Sequence, residues 1–451
     1  MLRVGKGRWL VLRQMTRALG ILGLVLLGSL SALCAEPWTL ERALQQALSG
    51  NPDARLAQQR IVAAQAGLDQ ANAAFWPRVQ LQSSYGATDN PMLAFGSILN
   101  QRAYNSSLNF NDVPTVDDFN ARGLVTVPLY AGGKNTATRK AASANTEAAK
   151  QDNAAVQNAL GYEVARAFYT VLKSRQFIRA AEAGVNSFEA NLAVAKKRLD
   201  GGTLLKSGVL DIEVRLAQAR EDLVRARNSN ALATRALRNL LGIETGEFEV
   251  ADTAPQTRAP DSGDFSGRPE LTAASHRERA AQEQVTAAKG SYLPRVSAFG
   301  SLDYDYGWKY ENGGGSYTAG ALLQWDVWDG KLTRAKVREA NANLESSREE
   351  RRKLRLALDL EVEQARLELK AANERLSVTD QAVAQATESA SLTRARFEQE
   401  MALPKDTIDA ETALVAARVR RAEAEADRQI ATAAVRKALA LPQLESEAKS
   451  K

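Results

Sequence analysis

Two copies of one sequence pattern occur in this chain of 451 residues, and the duplication restricts the fold more than any other feature. Residues 51–79, which end in "FWPRV", align without a gap with residues 268–296, which end in "YLPRV". A second pair of segments, 198–220 and 396–418, matches in the same order. The offset falls from 217 to 198 residues, so the first copy carries a longer insert, which the loop 88–118 can supply. The pattern predicts two tandem repeats of about 200 residues.

The duplication also sets the expected boundaries. We expect a first repeat at 36–243, a linker at 244–267, a second repeat at 268–442 and a tail at 443–451. Each repeat contains an entry helix, two strands joined by a loop, and a helical hairpin. The expected strands cover about 77–87, 120–130, 294–308 and 315–328, and the expected hairpins cover 133–241 and 330–440.

Long proline-free runs predict the two hairpins. No proline lies between Pro128 and Pro255, or between Pro294 and Pro404. Within these runs, apolar and small residues recur in steps of three and four, which is the heptad spacing of a coiled coil. Helices over roughly 133–199 and 330–400 would each be about 100 Å long. The seams are Ile178, Ala181, Val185, Phe188, Leu192, Ala195 and Leu199 in the first hairpin, and Leu376, Thr379, Val383, Ala386, Ala390, Thr393 and Phe397 in the second.

The strand segments alternate apolar and polar residues with a period of two. In the third strand, Leu302 and Tyr304 lie on one face, whereas Ser301, Asp303 and Asp305 lie on the other. Strands of about ten residues with an apolar outer face, a polar inner face and aromatic ends are typical of a transmembrane β-barrel. A soluble sheet packed on the helices would alternate in the same way. On the membrane interpretation, four strands cannot close a barrel, and an open edge in lipid leaves backbone groups unpaired. The chain would then share a barrel with copies of itself.

The N-terminal 35 residues resemble a secretory signal peptide. Five basic residues precede the apolar run 18–33, which is short for a membrane span, and Ala35 offers a small residue for cleavage. A retained membrane anchor is the alternative. Removal of 1–35 would lower the formal net charge from +6 to about +1, so no basic block remains that indicates nucleic-acid binding. Cys34, the only cysteine, either leaves with the signal or is lipidated, although Leu33 before it departs from the usual small residue.

The other candidate motifs do not indicate an enzyme. "AGGKNT" (131–136) lacks the first glycine and the Ser/Thr of a phosphate-binding loop, and "WDGKLT" (328–333) fails in the same way. His276 is the only histidine, so no histidine-based catalytic triad or His-rich zinc site can form. We therefore expect no enzyme, no cofactor and no metal.

The signal peptide, the duplicated strand and hairpin plan, the "NP…AFWPRV" entry and the "VPLYAGGK" junction (127–134) together resemble the TolC-like outer-membrane efflux protein family, also called outer membrane factors. The resemblance covers residues 36 to about 442. It implies a mainly α protein with transmembrane β-structure: three protomers form a 12-stranded β-barrel that an α-helical barrel continues into the periplasm. It further implies an outer-membrane location and two partners, a periplasmic adaptor and an inner-membrane transporter.

The same resemblance implies site residues. "RLDGGT" (198–203) is similar to the family's turn at the tip of the periplasmic tube, which faces the adaptor. The second turn, "RFEQEM" (396–401), departs from it, since Glu400 stands where Gly202 stands in the first. Asp406 and Asp409 match positions of acidic gate rings, although Asp406 could instead cap the helix after Pro404. The expected residues are Arg198, Leu199, Gly201, Gly202, Thr203, Arg396 and Phe397 at the adaptor-facing turn, Asp406 and Asp409 at the gate, and Asp303 and Asp305 in the barrel lumen.

The predicted function is the exit duct of a tripartite efflux system, which conducts substrate passively while an inner-membrane pump supplies the energy. One alternative is the exit duct of a type I protein-secretion system, which has the same architecture. The other is a soluble periplasmic coiled-coil adaptor or scaffold.

Overall fold

The computed structural model describes residues 37–109, 111–245, 248–253, 255, 257–260 and 263–444. The expected signal peptide 1–35, with Cys34, and most of the tail 443–451 lie outside the described residues. The helices are α1 (Leu40–Gly50), α2 (Pro52–Ala73), α3 (Pro91–Asn100), α4 (Lys134–Asp200), α5 (Lys206–Leu240), α6 (Pro269–Lys289), α7 (Leu332–Glu398) and α8 (Pro404–Ala438). The strands are β1 (Arg78–Thr88), β2 (Val116–Ala131), β3 (Arg295–Gly307) and β4 (Asn312–Gln324).

The chain divides into two compact units. Among the described residues, one unit lies within 37–46, 164–255 and 379–426 and contains the two turns that join the long helices. The other lies within 47–163, 257–378 and 427–444 and contains the sheet. No helix among the described residues is both long and apolar enough to cross a membrane.

The long helices have matched lengths. Helices α4 and α7 each contain 67 residues, and α5 and α8 each contain 35. The strand-to-helix junctions before α4 and α7 also match, because Gly132 and Gly133 have φ of 61° and 78°, and Gly330 and Lys331 have φ of 65° and 74°. The left-handed conformation therefore occurs at equivalent positions, and a lysine occupies one of them.

Two prolines separate helix from strand, as the sequence predicts. Helix α2 ends at Ala73 and β1 begins at Arg78, immediately after Pro77. A short 3₁₀ turn, Gly290–Tyr292, ends just before Pro294, and β3 begins at Arg295. Proline lacks the N–H that a helix requires and biases the preceding residue towards extended backbone.

The four strands form one antiparallel sheet in the order β1-β2-β3-β4. The prediction of a mainly helical chain with four strands is confirmed, although β2 begins at Val116 and β4 ends at Gln324. The register places Leu81 against Gly123, Gly123 against Leu302 and Leu302 against Tyr317, so these residues share one face. The opposite face contains Asn120, Arg122, Asp303 and Asp305.

The described residues of the 88–118 insert fold onto the polar face of the sheet. Its helix α3 buries Ala94 and Ile98 against Val116 at the start of β2. Gln101, which caps the C-terminus of α3, is completely buried. We call the end of the sheet where α3 packs, and where β1 and β3 end, its distal end.

Candidate functional site: paired helical turns and the polar face of the sheet

The turn between α4 and α5 closes with a left-handed glycine. The N–H of Gly202 donates to the carbonyl of Leu199 at 3.0 Å, and the N–H of Thr203 donates to that of Arg198 at 2.8 Å. This pair of bonds is the Schellman motif, which requires a positive φ at the residue after the cap. Gly202 has φ of 73° and supplies that conformation without steric cost.

The turn between α7 and α8 has the same geometry without the glycine. The N–H of Glu400 donates to Phe397 at 3.2 Å, and that of Met401 donates to Arg396 at 2.8 Å. Glu400 therefore adopts φ of 65°, a conformation that costs roughly 1–2 kcal/mol for a residue with a Cβ. The sequence departure at Glu400 changes the charge of the turn and leaves its fold intact.

Side-chain contacts join the two turns. The Arg198 guanidinium donates to the carbonyl of Phe397 at 3.1 Å and lies 4.9 Å from the centroid of its ring. The Thr203 hydroxyl donates to the Glu400 carboxylate at 2.9 Å. The structure thus brings together four residues from sequence segments that are almost 200 positions apart.

Phe397 lies beneath the turns and not on their surface. Its side chain is completely buried, in a core with Phe188, Ala195 and Ile212. The buried ring of Phe397 offers no contact surface in this conformation, and its adaptor-facing role stays a prediction. Exposed positions at the turns include Gly201, Gly202 and Arg396, and the apolar side chains of Leu205, Met401 and Leu403 are also exposed. Leu199 is half-buried.

An ion pair with one buried partner lies near the turns, and the sequence does not predict it. Arg394 on α7 contacts the carboxylate of Glu411 on α8, and it also donates to the Ser187 hydroxyl on α4 at 2.6 Å. Glu411 is only 1% exposed, whereas the Arg394 side chain is 40% exposed. Glu411 is the residue from which the ion pair could be predicted, since a carboxylate on the buried side of a helix requires a cation nearby.

The two candidate gate residues are exposed near the start of α8. Asp406 accepts a hydrogen bond from the N–H of Leu403 at 3.1 Å, which caps the helix that begins at Pro404. Asp409 follows one turn along the same exposed side. A carboxylate with a capping bond to its own helix remains available to an ion, so the two roles considered for Asp406 are compatible.

The expected lumen residues are part of a polar network on the sheet. Asp303 forms an ion pair with Arg122 on β2 and accepts from the Ser301 hydroxyl at 2.8 Å. Asp305 is 3% exposed and accepts from the Asn120 amide at 2.9 Å. Both carboxylates thus lie on the polar face and have partners there.

A second ionic cluster ties α6, α7 and α8 together. The buried Arg268 guanidinium donates to Glu270 and to Glu361, each at 2.6 Å, and Lys437 contacts Glu361 at 3.0 Å. Burial opposes ionisation of Glu361, but hydrogen bonds from Lys437 and Arg268 outweigh it, and the pKa of Glu361 falls below its usual value. Sequence spacing gave no indication of this cluster, because its members are up to 169 positions apart.

The family model for outer membrane efflux proteins matches residues 43–243 and 265–441. The chain belongs to the outer membrane efflux protein family. Membership places it in the outer membrane of the Gram-negative envelope and excludes the soluble scaffold alternative. The family consists of transport proteins rather than enzymes.

Individual relatives differ in what they export. Pyoverdine export outer membrane protein OpmQ of Pseudomonas aeruginosa is 25% identical over 270 residues, or 58% of this chain and 55% of that protein. Alkaline protease secretion protein AprF of the same organism is 25% identical over 206 residues, or 41% of each. The chain thus spans about half the length of the curated relatives it matches. The solved outer-membrane channel OprN has a TM-score of 0.77 and 21% identity over 89% of both chains, a likeness that shows the fold.

Proposed function

We propose that three copies of this chain form the outer-membrane exit duct of a tripartite efflux system. The main support for the proposal is the sheet, with its exposed apolar face and its two edge strands. Its apolar face is open to the surroundings, with Leu81 86% exposed, Tyr317 79% and Leu302 71%. Within the described sheet, β1 and β4 each pair along one edge only. Lipid can cover the apolar face, and the edges of neighbouring copies can pair to close a barrel of twelve strands.

The polar face would line the lumen, with Asp303 and Asp305 facing the conducted path. The long helices would continue the barrel into the periplasm and end at the turns. There the exposed Leu205, Met401 and Leu403 offer an apolar surface to the periplasmic adaptor. Asp406 and Asp409 from three copies would form carboxylate rings that attract cations and narrow the entrance. An inner-membrane pump would supply the energy.

Adjacent residues on β1 provide the test of membrane insertion. Leu81→Arg places a cation on the lipid-facing side, where its cost rises with depth to at most about 2–4 kcal/mol per copy at the bilayer midplane. Gln80→Arg places the same cation on the polar face and serves as the matched control. We expect the first variant to lose the heat-modifiable trimer and the channel conductance in planar bilayers, and the control to keep both. Equal behaviour of the two variants would contradict the assignment of the faces.

A type I protein-secretion duct is the second candidate, which the similarity to AprF favours. The two functions differ in cargo and share an architecture. A deletion strain that becomes sensitive to small toxic compounds supports efflux. A strain that keeps its resistance and loses a secreted protein from the medium supports secretion.

A further inference from the structure

We propose that helix α3 is a lid that narrows the distal mouth of the channel, and that the three copies of α3 in a trimer meet there. The inference rests on the proposed trimeric barrel and adds a second constriction, distinct from the gate at the helical turns. It concerns the segment 88–118 that lengthens the first repeat.

Four side-chain hydrogen bonds hold α3 on the polar face. The buried Gln101 amide donates to the carbonyl of Asp117 at 2.7 Å and to the Asp118 carboxylate at 2.8 Å. Arg102 follows in a left-handed conformation, with φ of 58°, and its guanidinium donates to the carbonyl of Gly315 at 3.1 Å. Asn312 donates to the carbonyl of Arg102 at 3.0 Å, which fixes the end of α3 to β4 as well.

Two glycines leave room for this packing. A Cβ on Gly314 would lie 2.3 Å from the carbonyl oxygen of Asn100, and a Cβ on Gly307 would lie 2.1 Å from the Gln101 side chain. Both distances are far below contact, so the "NGGGS" run (312–316) at the start of β4 permits the approach of α3. The helix occupies a site shaped for it and is not a loose loop.

Within one chain, none of the described residues covers the opposite side of α3. Met92 is 79% exposed, Leu93 62% and Leu99 45%. A helix that is apolar on all sides is normally buried on all sides. Lipid cannot cover this surface, because α3 lies on the polar face, which is the inner face of the proposed barrel.

The dimensions of the proposed barrel indicate that the exposed side of α3 packs against the other two copies of α3. Twelve strands about 4.8 Å apart and tilted by about 40° give a backbone diameter of about 24 Å. Three helices of about 10 Å diameter that touch one another fit within a circle of about 22 Å. Three copies of α3 in one barrel therefore contact each other and fill the mouth, and their exposed apolar side chains form a hydrophobic constriction of the kind that gates by excluding water.

Cysteine crosslinking in the full-length protein in outer membranes tests whether the helices meet. We expect Leu93→Cys to form dimers across protomers upon mild oxidation or with a short bis-maleimide. Ala94→Cys is the matched control, because Ala94 is completely buried against the sheet and cannot reach another copy. An intact trimer in which Leu93→Cys does not crosslink overturns the convergence of the lids and leaves the proposed duct standing. Loss of the trimer in the parent protein overturns the duct itself.

Conductance in planar bilayers tests whether the lid narrows the channel. Gln101→Glu keeps the shape of the residue and places a carboxylate beside Asp118, which should release α3 and raise single-channel conductance several-fold. The double variant Met92→Ser/Leu93→Ser changes only exposed positions and should also raise conductance. Unchanged conductance in both variants, with trimers intact, overturns the lid.

Discussion

Arg394 and Glu411 form an ion pair in which only the carboxylate is buried. Replacing Arg394 should therefore destabilise the protein more than replacing Glu411. Arg394→Met leaves the Glu411 carboxylate, which is 1% exposed, without a cation. Isolating a buried charge in this way costs about 3–5 kcal/mol. Glu411→Gln leaves a guanidinium that is already 40% exposed and can turn to water, so we expect about 1–2 kcal/mol, close to the loss of one charged hydrogen bond.

Hydrogen exchange of the detergent-solubilised protein, measured by mass spectrometry on peptides from 404–420, would detect both changes locally. A change of 1.4 kcal/mol is about a tenfold change in protection. Arg394→Met should therefore reduce protection by roughly two to three and a half orders of magnitude, and Glu411→Gln by about tenfold. The double variant Arg394→Met/Glu411→Leu should recover most of the loss, because apolar replacement of both partners removes the buried charge. Equal losses in the single variants, or no recovery in the double variant, would refute the burial argument.

Three further outcomes follow from the structure. Glu400→Gly should raise the thermal unfolding temperature, because glycine adopts a positive φ without the roughly 1–2 kcal/mol cost of a residue with a Cβ, whereas Gly202→Ala should lower it. A lower unfolding temperature for Glu400→Gly, or a higher one for Gly202→Ala, would contradict the strain argument. Because the folded-state pKa of Glu361 is lowered, its stabilising contribution is complete above the ordinary carboxyl pKa and is lost as the pH falls through the lowered folded-state pKa. Glu361→Gln should therefore lower the unfolding temperature at pH 7, and the difference from the parent protein should shrink as the pH is lowered below the ordinary carboxyl range. Asp406→Asn/Asp409→Asn should reduce the cation selectivity of the channel in bilayer recordings, and unchanged reversal potentials would remove these residues from the gate.

Local chemistry explains what the sequence could predict. Proline stops a helix wherever it lies, so Pro77 and Pro294 mark the two changes from helix to strand. Heptad spacing predicts which side of a helix is buried, and Val185, Phe188 and Ala195 are indeed buried together. Alternation along β1 and β3 likewise places residues on the correct faces, because side chains in a strand point to opposite sides in turn.

The features that the sequence does not predict depend on contacts between segments that are far apart in the chain. Ser187, Arg394 and Glu411 meet only after two hairpins pack together, and no spacing rule connects them. The left-handed backbone of Glu400 follows from hydrogen bonds at the end of a helix, and a residue with a Cβ gives no sign of that conformation in the sequence. The insert 88–118 was expected as a loop, because the contacts that hold α3 come from β2, β3 and β4.

The two free edges of the sheet have a genetic consequence. If three copies close one barrel, the β4 edge of each copy must receive the β1 edge of the next. A copy with an intact β1 and a defective β4 could enter such a ring and leave it unsealed. Variants in Asn312–Gln324 that block pairing should therefore be dominant over a wild-type allele in the same cell. When defective and normal chains are equally abundant, only about one ring in eight would contain three normal copies.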